Sequence, residues 1–247
     1  MSQAKTRDGF PCWIDLGARD VDAALAFYAE VIGWDAGERS GDEYGGYAMW
    51  FRDGIPAAGI GPLSEGAQPA WTTYLASADI DASLAAVARA GGHAVTPAIV
   101  VGPLGRMAVV TEPQGGVFGF WEARDFPGFT RYAEPGHLDW SIARSTDPRM
   151  TADFLASVFP YEAREGDSVH DGYIELRIDA RPALGVMPAT DEPSSWMAYF
   201  AVDDADAAVA RALTTGGRII RPVESTPYGL IATLADPEGA SFSVISS

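Results

Sequence analysis

The second half of this chain restates the first at a nearly constant offset, and an internal repeat of this kind restricts the fold more than any single motif can. WIDLGARDVDAALAFY, from Trp13 to Tyr28, recurs as WSIARSTDPRMTADFL, from Trp140 to Leu155, aligning Asp20 with Asp147 and Phe27 with Phe154. GYAMWFRDGIPAAGI from Gly46 is echoed by GYIELRIDARPALGV from Gly172. Trp71 and Tyr74 match Trp196 and Tyr199, and TEPQGGVFGFW matches ADPEGASFSVI. Gly91, Gly92 and Pro97 match Gly216, Gly217 and Pro222. Pro and Gly cluster between the halves in RDFPGFTRY and AEPGH. The boundary is therefore expected near residue 130, with domains over 1–128 and 129–247, each within the usual size range.

Each half contains a weaker repeat of its own. Pro11 to Gly17 reads as a strand, and Asp20 caps a helix in which Val21, Leu25, Tyr28 and Ile32 recur at helical spacing. Strands are expected at Trp34 to Arg39, Tyr47 to Arg52 and Ala57 to Leu63. The pattern restarts with a strand at Ala70 to Ser77 and a helix from Asp81 to Ala90, stopped by Gly91 and Gly92. Strands near His93 to Thr96, Arg106 to Thr111 and Val117 to Glu122 complete it. In the second half Pro148 follows Asp147, at the first-turn position that tolerates proline best. The element order is βαβββ, four times.

The formal charge of −17 disfavours nucleic acid and anionic membranes, which attract clustered Lys and Arg. No apolar stretch is long enough for a signal peptide or a membrane span, so a cytoplasmic protein is expected. The single cysteine, Cys12, excludes an intramolecular disulfide and reads as a buried structural thiol.

The four modules, the helix-opening Asp followed seven residues later by FY or FL, and the strand introduced by EPQG or DPEG resemble the vicinal oxygen chelate superfamily, which includes glyoxalases, bleomycin-resistance proteins and extradiol dioxygenases. The resemblance covers essentially the whole chain and implies an α+β fold: a tandem duplication whose four modules form two cup-shaped, eight-stranded mixed sheets, each around one pocket. It is weak evidence for activity, because the family hosts many reactions and also drug-binding proteins. Its metal-dependent members carry His or Gln seven residues before the helix-opening Asp, a similar His in the second module, and Glu on the fourth strand of each module. The resemblance assigns those positions here to Trp13, Thr72, Gly119 and Gly59, and in the second half to Trp140, Met197, Ser243 and Gly185. Such side chains do not replace imidazole and carboxylate ligands. Neither a metal nor another cofactor is expected. His93, His137 and His170 share no ligand spacing and are read as surface or structural.

Residues on the face of the lost ligands follow from strand alternation. In the first half they are Trp13, Asp15, Thr72, Tyr74, Val117, Gly119 and Trp121; in the second, Trp140, Ile142, Met197, Tyr199, Ser241, Ser243 and Ile245. Aromatic walls with few polar groups suit a hydrophobic aromatic small molecule. One reading is therefore a metal-independent binding protein, acting by sequestration or as an accessory in natural-product metabolism or resistance. The other is a metal-free enzyme, a hydroxylase partner, cyclase or isomerase on a polyketide-like substrate, with Asp15 as general base. Glu122, Asp139 and Glu175 are assigned to the outer parity; Trp34, Trp71 and Trp196 to core; Trp50 to either. A monomer and a homodimer are both compatible with the duplication.

Overall fold

The structure, a computed structural model, describes residues 7–41, 44–63, 66–165, 172–189 and 193–247. The first module comprises β1 (Pro11–Ala18), α1 (Val21–Ile32), β2 (Asp35–Ala36), β3 (Ala48–Arg52) and β4 (Ile55–Pro62). The second comprises β5 (Ala70–Ala76), α2 (Ile80–Arg89), β6 (His93–Ala94), β7 (Ile99–Val101), β8 (Gly105–Thr111) and β9 (Val117–Ala123). The third has β10 (Leu138–Ser145), α3 (Pro148–Val158), β11 (Glu162–Glu165), β12 (Ile174–Ile178) and β13 (Arg181–Pro188). The fourth has β14 (Ser195–Ala201), α4 (Ala205–Thr214), β15 (Arg218–Thr226), β16 (Gly229–Ala235) and β17 (Ser241–Ser246).

The expected α+β architecture is present. One mixed sheet runs β2-β3-β4-β1-β5-β9-β8-β6 and the other β11-β12-β13-β10-β14-β17-β16-β15. Within each module the first strand pairs parallel with the last, as β1 does with β4 and β5 with β9, while the hairpins are antiparallel. The first sheet has a ninth strand, because β7 also pairs with β8. The strand expected over Trp34 to Arg39 shrinks to Asp35–Ala36, since Trp34 turns into the core instead.

Four aspartates start the helices. Asp20, Asp79, Asp147 and Asp204 each accept a backbone N–H three residues on, at 3.0 Å, satisfying one donor that an α-helix leaves open. The second helix begins one residue earlier than expected, behind Asp79. Gly91, at φ 86°, takes the left-handed turn that ends it, and Gly92 N–H closes back onto the Val87 carbonyl at 2.9 Å. Among the described residues no helix is long and apolar enough to cross a membrane.

The chain divides into two compact units that regroup the modules. The first holds Thr73–Gly128 and Ser141–Trp196 with the chain up to Trp13; the second holds Ile14–Thr72, Phe129–Trp140 and Met197–Ser247. In the first unit one core joins Leu75, Val110, Phe118 and Phe120 to Phe154, Leu155, Leu184, Val186 and Trp196. In the second, Tyr28, Trp34, Trp50, Trp71, Phe200 and Phe242 form a cluster of stacked, tilted and edge-on rings with centroids 5.1 to 6.3 Å apart in the recorded pairs, near the optimum for aromatic pairs. Trp50, which the strand pattern left open, is fully buried there.

A buried hydrogen-bond chain runs through the second unit. Trp71 Nε1 donates to Tyr28 Oη at 3.0 Å, and Tyr28 Oη donates to Asp236 Oδ2 at 3.2 Å. Asp236 Oδ1 accepts the backbone N–H groups of Glu238, Gly239 and Ala240. By the repeat, the corresponding residues of the first unit are Trp196, Leu155 and Glu112. Leucine cannot relay, and Trp196 Nε1 and both Glu112 carboxylate oxygens are buried with no hydrogen-bond partner among the described residues. Burial pushes the Glu112 carboxyl from its ordinary 4.5 up to about 7; the nearby Thr151, whose hydroxyl donates to Ser145 Oγ at 2.8 Å, opposes this only in part.

A folded-state pKa above the unfolded value means that the native state holds the proton more tightly. The stability this contributes is complete below the unfolded pKa and is lost as pH rises towards 7. Replacing Glu112 by Gln is therefore expected to raise the melting temperature at pH 8, by an energy of at most about 3 kcal/mol. Thermal unfolding followed by circular dichroism should show that advantage vanishing by about pH 4. An advantage that persists unchanged into acid would mean that ionisation of Glu112 is not its cause.

Candidate functional site

In the first unit, β1, β5 and β9 bring together four of the expected residues. Trp13, Tyr74 and Trp121 are buried, at 5%, 4% and 7% exposure. Tyr74 is the register partner of Gly119 and Ala76 that of Trp121. The Tyr74 ring lies across Gly119, so that a Cβ at 119 would collide with Cδ1 and Cε1 of the ring. The Trp121 ring lies likewise across Gly105 of β8, with Cζ2 2.7 Å from where a Cβ would stand. Phe126, which sequence reasoning did not single out, ties the indoles together. Its ring meets Trp13 edge-on at 4.9 Å and Trp121 at 6.1 Å, and its carbonyl accepts Trp121 Nε1 at 2.9 Å. Cys12 is fully buried beneath this wall and donates to the Tyr74 carbonyl at 3.4 Å. Burial raises its thiol pKa well above the ordinary value, which makes it an inert packing group. Val117 stands apart, 42% exposed at the start of β9.

Asp15 and Thr72 belong to the second unit, both half-buried. Asp15 is the register partner of Gly59, and Tyr47 Oη donates to Asp15 Oδ2 at 3.4 Å. The Tyr47 ring packs over Gly61, 3.2 Å from a hypothetical Cβ. A tyrosine lying on a glycine and holding the one carboxylate of this face could not be seen from either strand alone.

The second repeat builds its face differently. In the second unit Tyr199 and Thr233 are both register partners of Ser243, and the fully buried Ser243 hydroxyl is committed to Thr233 Oγ1 at 3.0 Å. Met197 is buried and Trp140 half-buried. In the first unit Ile142 pairs with Gly185, which pairs in turn with Glu175. Tyr173 Oη lies 2.5 Å from a hypothetical Cβ on Gly185. This register corrects the outer-parity assignment of Glu175. The helix-facing side of these strands is filled by Ala143, Ile174, Leu176 and Val186, so Glu175 occupies the opposite side, where Arg177 ion-pairs with it. Glu122 does face the helix side, accepting Ile80 N–H at 2.9 Å and pairing with Arg106 at 3.3 Å. Burial raises the pKa of half-buried Asp139.

The positions that the resemblance assigns to metal ligands do not fit an ion here. Trp13, Thr72, Gly119 and Gly59 offer no strong donor among them. The Tyr74 ring fills the space of a side chain at 119, and the Ser243 hydroxyl is already bonded. Among the described residues no group of three or more His, Cys, Asp and Glu could hold a metal. His93 is exposed; His137 is buried with neither ring nitrogen bonded, and burial lowers its pKa. His170 lies outside the described residues.

Comparison with known proteins agrees with this fold. The family model for the glyoxalase-like domain matches residues 140–245. The chain is 34% identical to CFP32 of Mycobacterium tuberculosis, provisionally named a glyoxylase, over 98% of this chain and 97% of that protein. It is also 34% identical to the anthracycline biosynthesis protein DnrV of Streptomyces peucetius, over 96% and 93%. Among solved structures, the Mn(II)-bound glyoxalase from Novosphingobium aromaticivorans superposes with a TM-score of 0.69 at 19% identity, over 98% of this chain and 83% of that one. The 2,3-dioxygenase LapB from Pseudomonas sp. KL28 gives 0.67 at 14% identity, over 99% and 94%.

The packing of Tyr74 on Gly119 makes a separate forecast. Gly119→Ala is expected to destabilise the protein by about 1 to 3 kcal/mol, as overpacking does. In a Tyr74→Ala background the same change should be nearly neutral. A double-mutant cycle in urea measures this, and additive effects would mean that the ring does not set the glycine.

Proposed function

We propose that this chain, which belongs to the vicinal oxygen chelate superfamily, binds a hydrophobic aromatic small molecule without a metal ion. The observation that carries this reading is the Tyr74 ring in the space of the Gly119 side chain, beside Trp13, Phe126 and Trp121. Where a carboxylate ligand would project, an aromatic wall stands instead, and such walls retain flat apolar molecules by offset and edge-on ring contacts. Anthracyclines are flat polycyclic aromatics, and the name of the relative DnrV places that protein in their biosynthesis. The same ligand class fits here, with sequestration or an accessory step in natural-product metabolism as its use.

One observation favours a catalytic variant of this reading. Asp15 is half-buried, and the Tyr47 hydroxyl orients its carboxylate. An oriented, half-buried carboxylate can act as a general base, and removing such a base lowers turnover by about 100-fold to 10,000-fold.

The test is tryptophan fluorescence of chelator-treated protein titrated with an anthracycline. Saturable quenching is expected, with affinity falling about tenfold in Trp121→Leu, which is the loss of one strong ring contact. Binding that appears only on adding a divalent cation would overturn the proposal. Asp15→Asn separates the two uses: a modest change in affinity fits a binder, and a collapse of substrate conversion with affinity retained fits the enzyme.

A further inference from the structure

The strand that opens each repeat is preceded by a glycine whose backbone is tied in the same way in both. In the first repeat Gly9 N–H donates to the Ala76 carbonyl and Ala76 N–H to the Phe10 carbonyl, both at 2.9 Å, while the Gly9 carbonyl accepts Tyr161 Oη. In the second, Gly136 N–H donates to the Ala201 carbonyl at 2.8 Å and Ala201 N–H to the His137 carbonyl at 2.9 Å, while the Gly136 carbonyl accepts Trp34 Nε1 at 2.6 Å. Both glycines are left-handed, at φ 81° and 85°. Each set of bonds lies within one unit. The residue after the glycine, three before the aligned Trp13 and Trp140, is Phe10 in one repeat and His137 in the other. An apolar ring therefore satisfies this arrangement, and the second repeat replaces it with an imidazole in the linker between the halves.

His137 is 2% exposed, and neither ring nitrogen has a hydrogen-bond partner among the described residues. The neutral ring leaves one N–H unbonded, whereas the imidazolium would leave two and a full charge out of water. The charges that face it do not compensate. Arg131 and Glu134 come from its own segment and Arg52 from β3, so two guanidinium groups oppose protonation and one carboxylate favours it. Glu134 is already paired with Arg131 at 2.9 Å. The Arg52 stem lies across Gly136, with Cγ 2.8 Å from where a Cβ would stand, and its guanidinium is 3.8 Å from both Asp53 and Asp203. Burial is the largest influence and holds the His137 pKa below its ordinary 6.5; the nearby Pro135 carbonyl, outside hydrogen-bonding geometry, opposes this only in part.

We propose that His137 is a proton-sensitive pin: when neutral it lets residues 133–138 seat against β3 and β14, and its protonation in mild acid releases that segment. A released imidazole meets water and titrates near 6.5. Seating is thus fully favoured above that pH and loses its advantage as pH falls towards the lower native pKa.

Hydrogen–deuterium exchange of the full chain at about pH 7.5 and about pH 5, corrected for the intrinsic pH dependence of exchange, tests the pin. The N–H groups of Gly136 and Ala201 are expected to lose protection several-fold in acid, up to about thirtyfold, the limit for a released imidazole of ordinary pKa. Those of Gly9 and Ala76, which make the same bonds beside Phe10, should keep theirs. His137→Phe, which installs the residue of the first repeat, should abolish the acid response. Should that variant lose its cooperative thermal transition, the imidazole proton resonances of the native chain carry the test: a His137 pKa clearly below 6.5 supports the pin, and one at or above it overturns the pin. Undiminished protection of Gly136 and Ala201 in acid overturns it, and so does an equal acid response in folded His137→Phe. The latter result would assign the response to a carboxyl such as Asp139, whose pKa burial raises.

Discussion

Side-chain alternation along a strand is the constraint on which this molecule is built, because it commits every second residue of each sheet to the helices and releases the others. On β9, Phe118 and Phe120 go to the helix side and are fully buried, which leaves Gly119 and Trp121 for the opposite face. On β12 and β13, Ile174, Leu176, Leu184 and Val186 do the same, leaving Tyr173, Glu175 and Gly185. The helix side carries the stability and tolerates little polar chemistry. The released side can therefore change its chemistry from one repeat to the other without dismantling the fold.

The helix side is nevertheless not identical in the two units. Trp71, Tyr28 and Asp236 form a continuous hydrogen-bond chain, whereas Trp196, Leu155 and Glu112 retain its two polar ends around an apolar middle. Removing one member of a buried network leaves the others with their desolvation penalty and no compensation. In the first unit Phe118 is tilted against Trp196, with ring centroids 5.1 Å apart. Burial raises the pKa of both carboxyls, but three backbone N–H groups and the Tyr28 hydroxyl oppose the rise at Asp236, whereas no backbone N–H holds Glu112, whose pKa reaches about 7.

Much of the fold was legible because repeats and helix caps are local signals. The helix starts behind Asp20 and Asp147 and most of the first-half strands fall within a residue or two of where spacing puts them, and the Gly91 and Gly92 stop is as expected. The inner-face residues were legible only strand by strand. Parity says that Trp13 and Asp15 share a face, but not that Tyr74 lies on Gly119, that Tyr47 reaches Asp15, or that Glu175 faces with Gly185, because these depend on register between strands. Phe126 lies beyond the end of a strand, where no periodicity applies, and the Pro and Gly around it read simply as a linker.

The tyrosine-on-glycine arrangement recurs three times, as Tyr74 on Gly119, Tyr47 on Gly61 and Tyr173 on Gly185. At positions 119 and 185 the glycine stands where the resemblance to metal-dependent members implies a carboxylate. A ring cannot occupy that place until the side chain beneath it has gone, and once the ring is seated a carboxylate cannot return without displacing it. The two residues are thus coupled by excluded volume rather than by any shared chemistry, and a single substitution at either one meets a packing penalty.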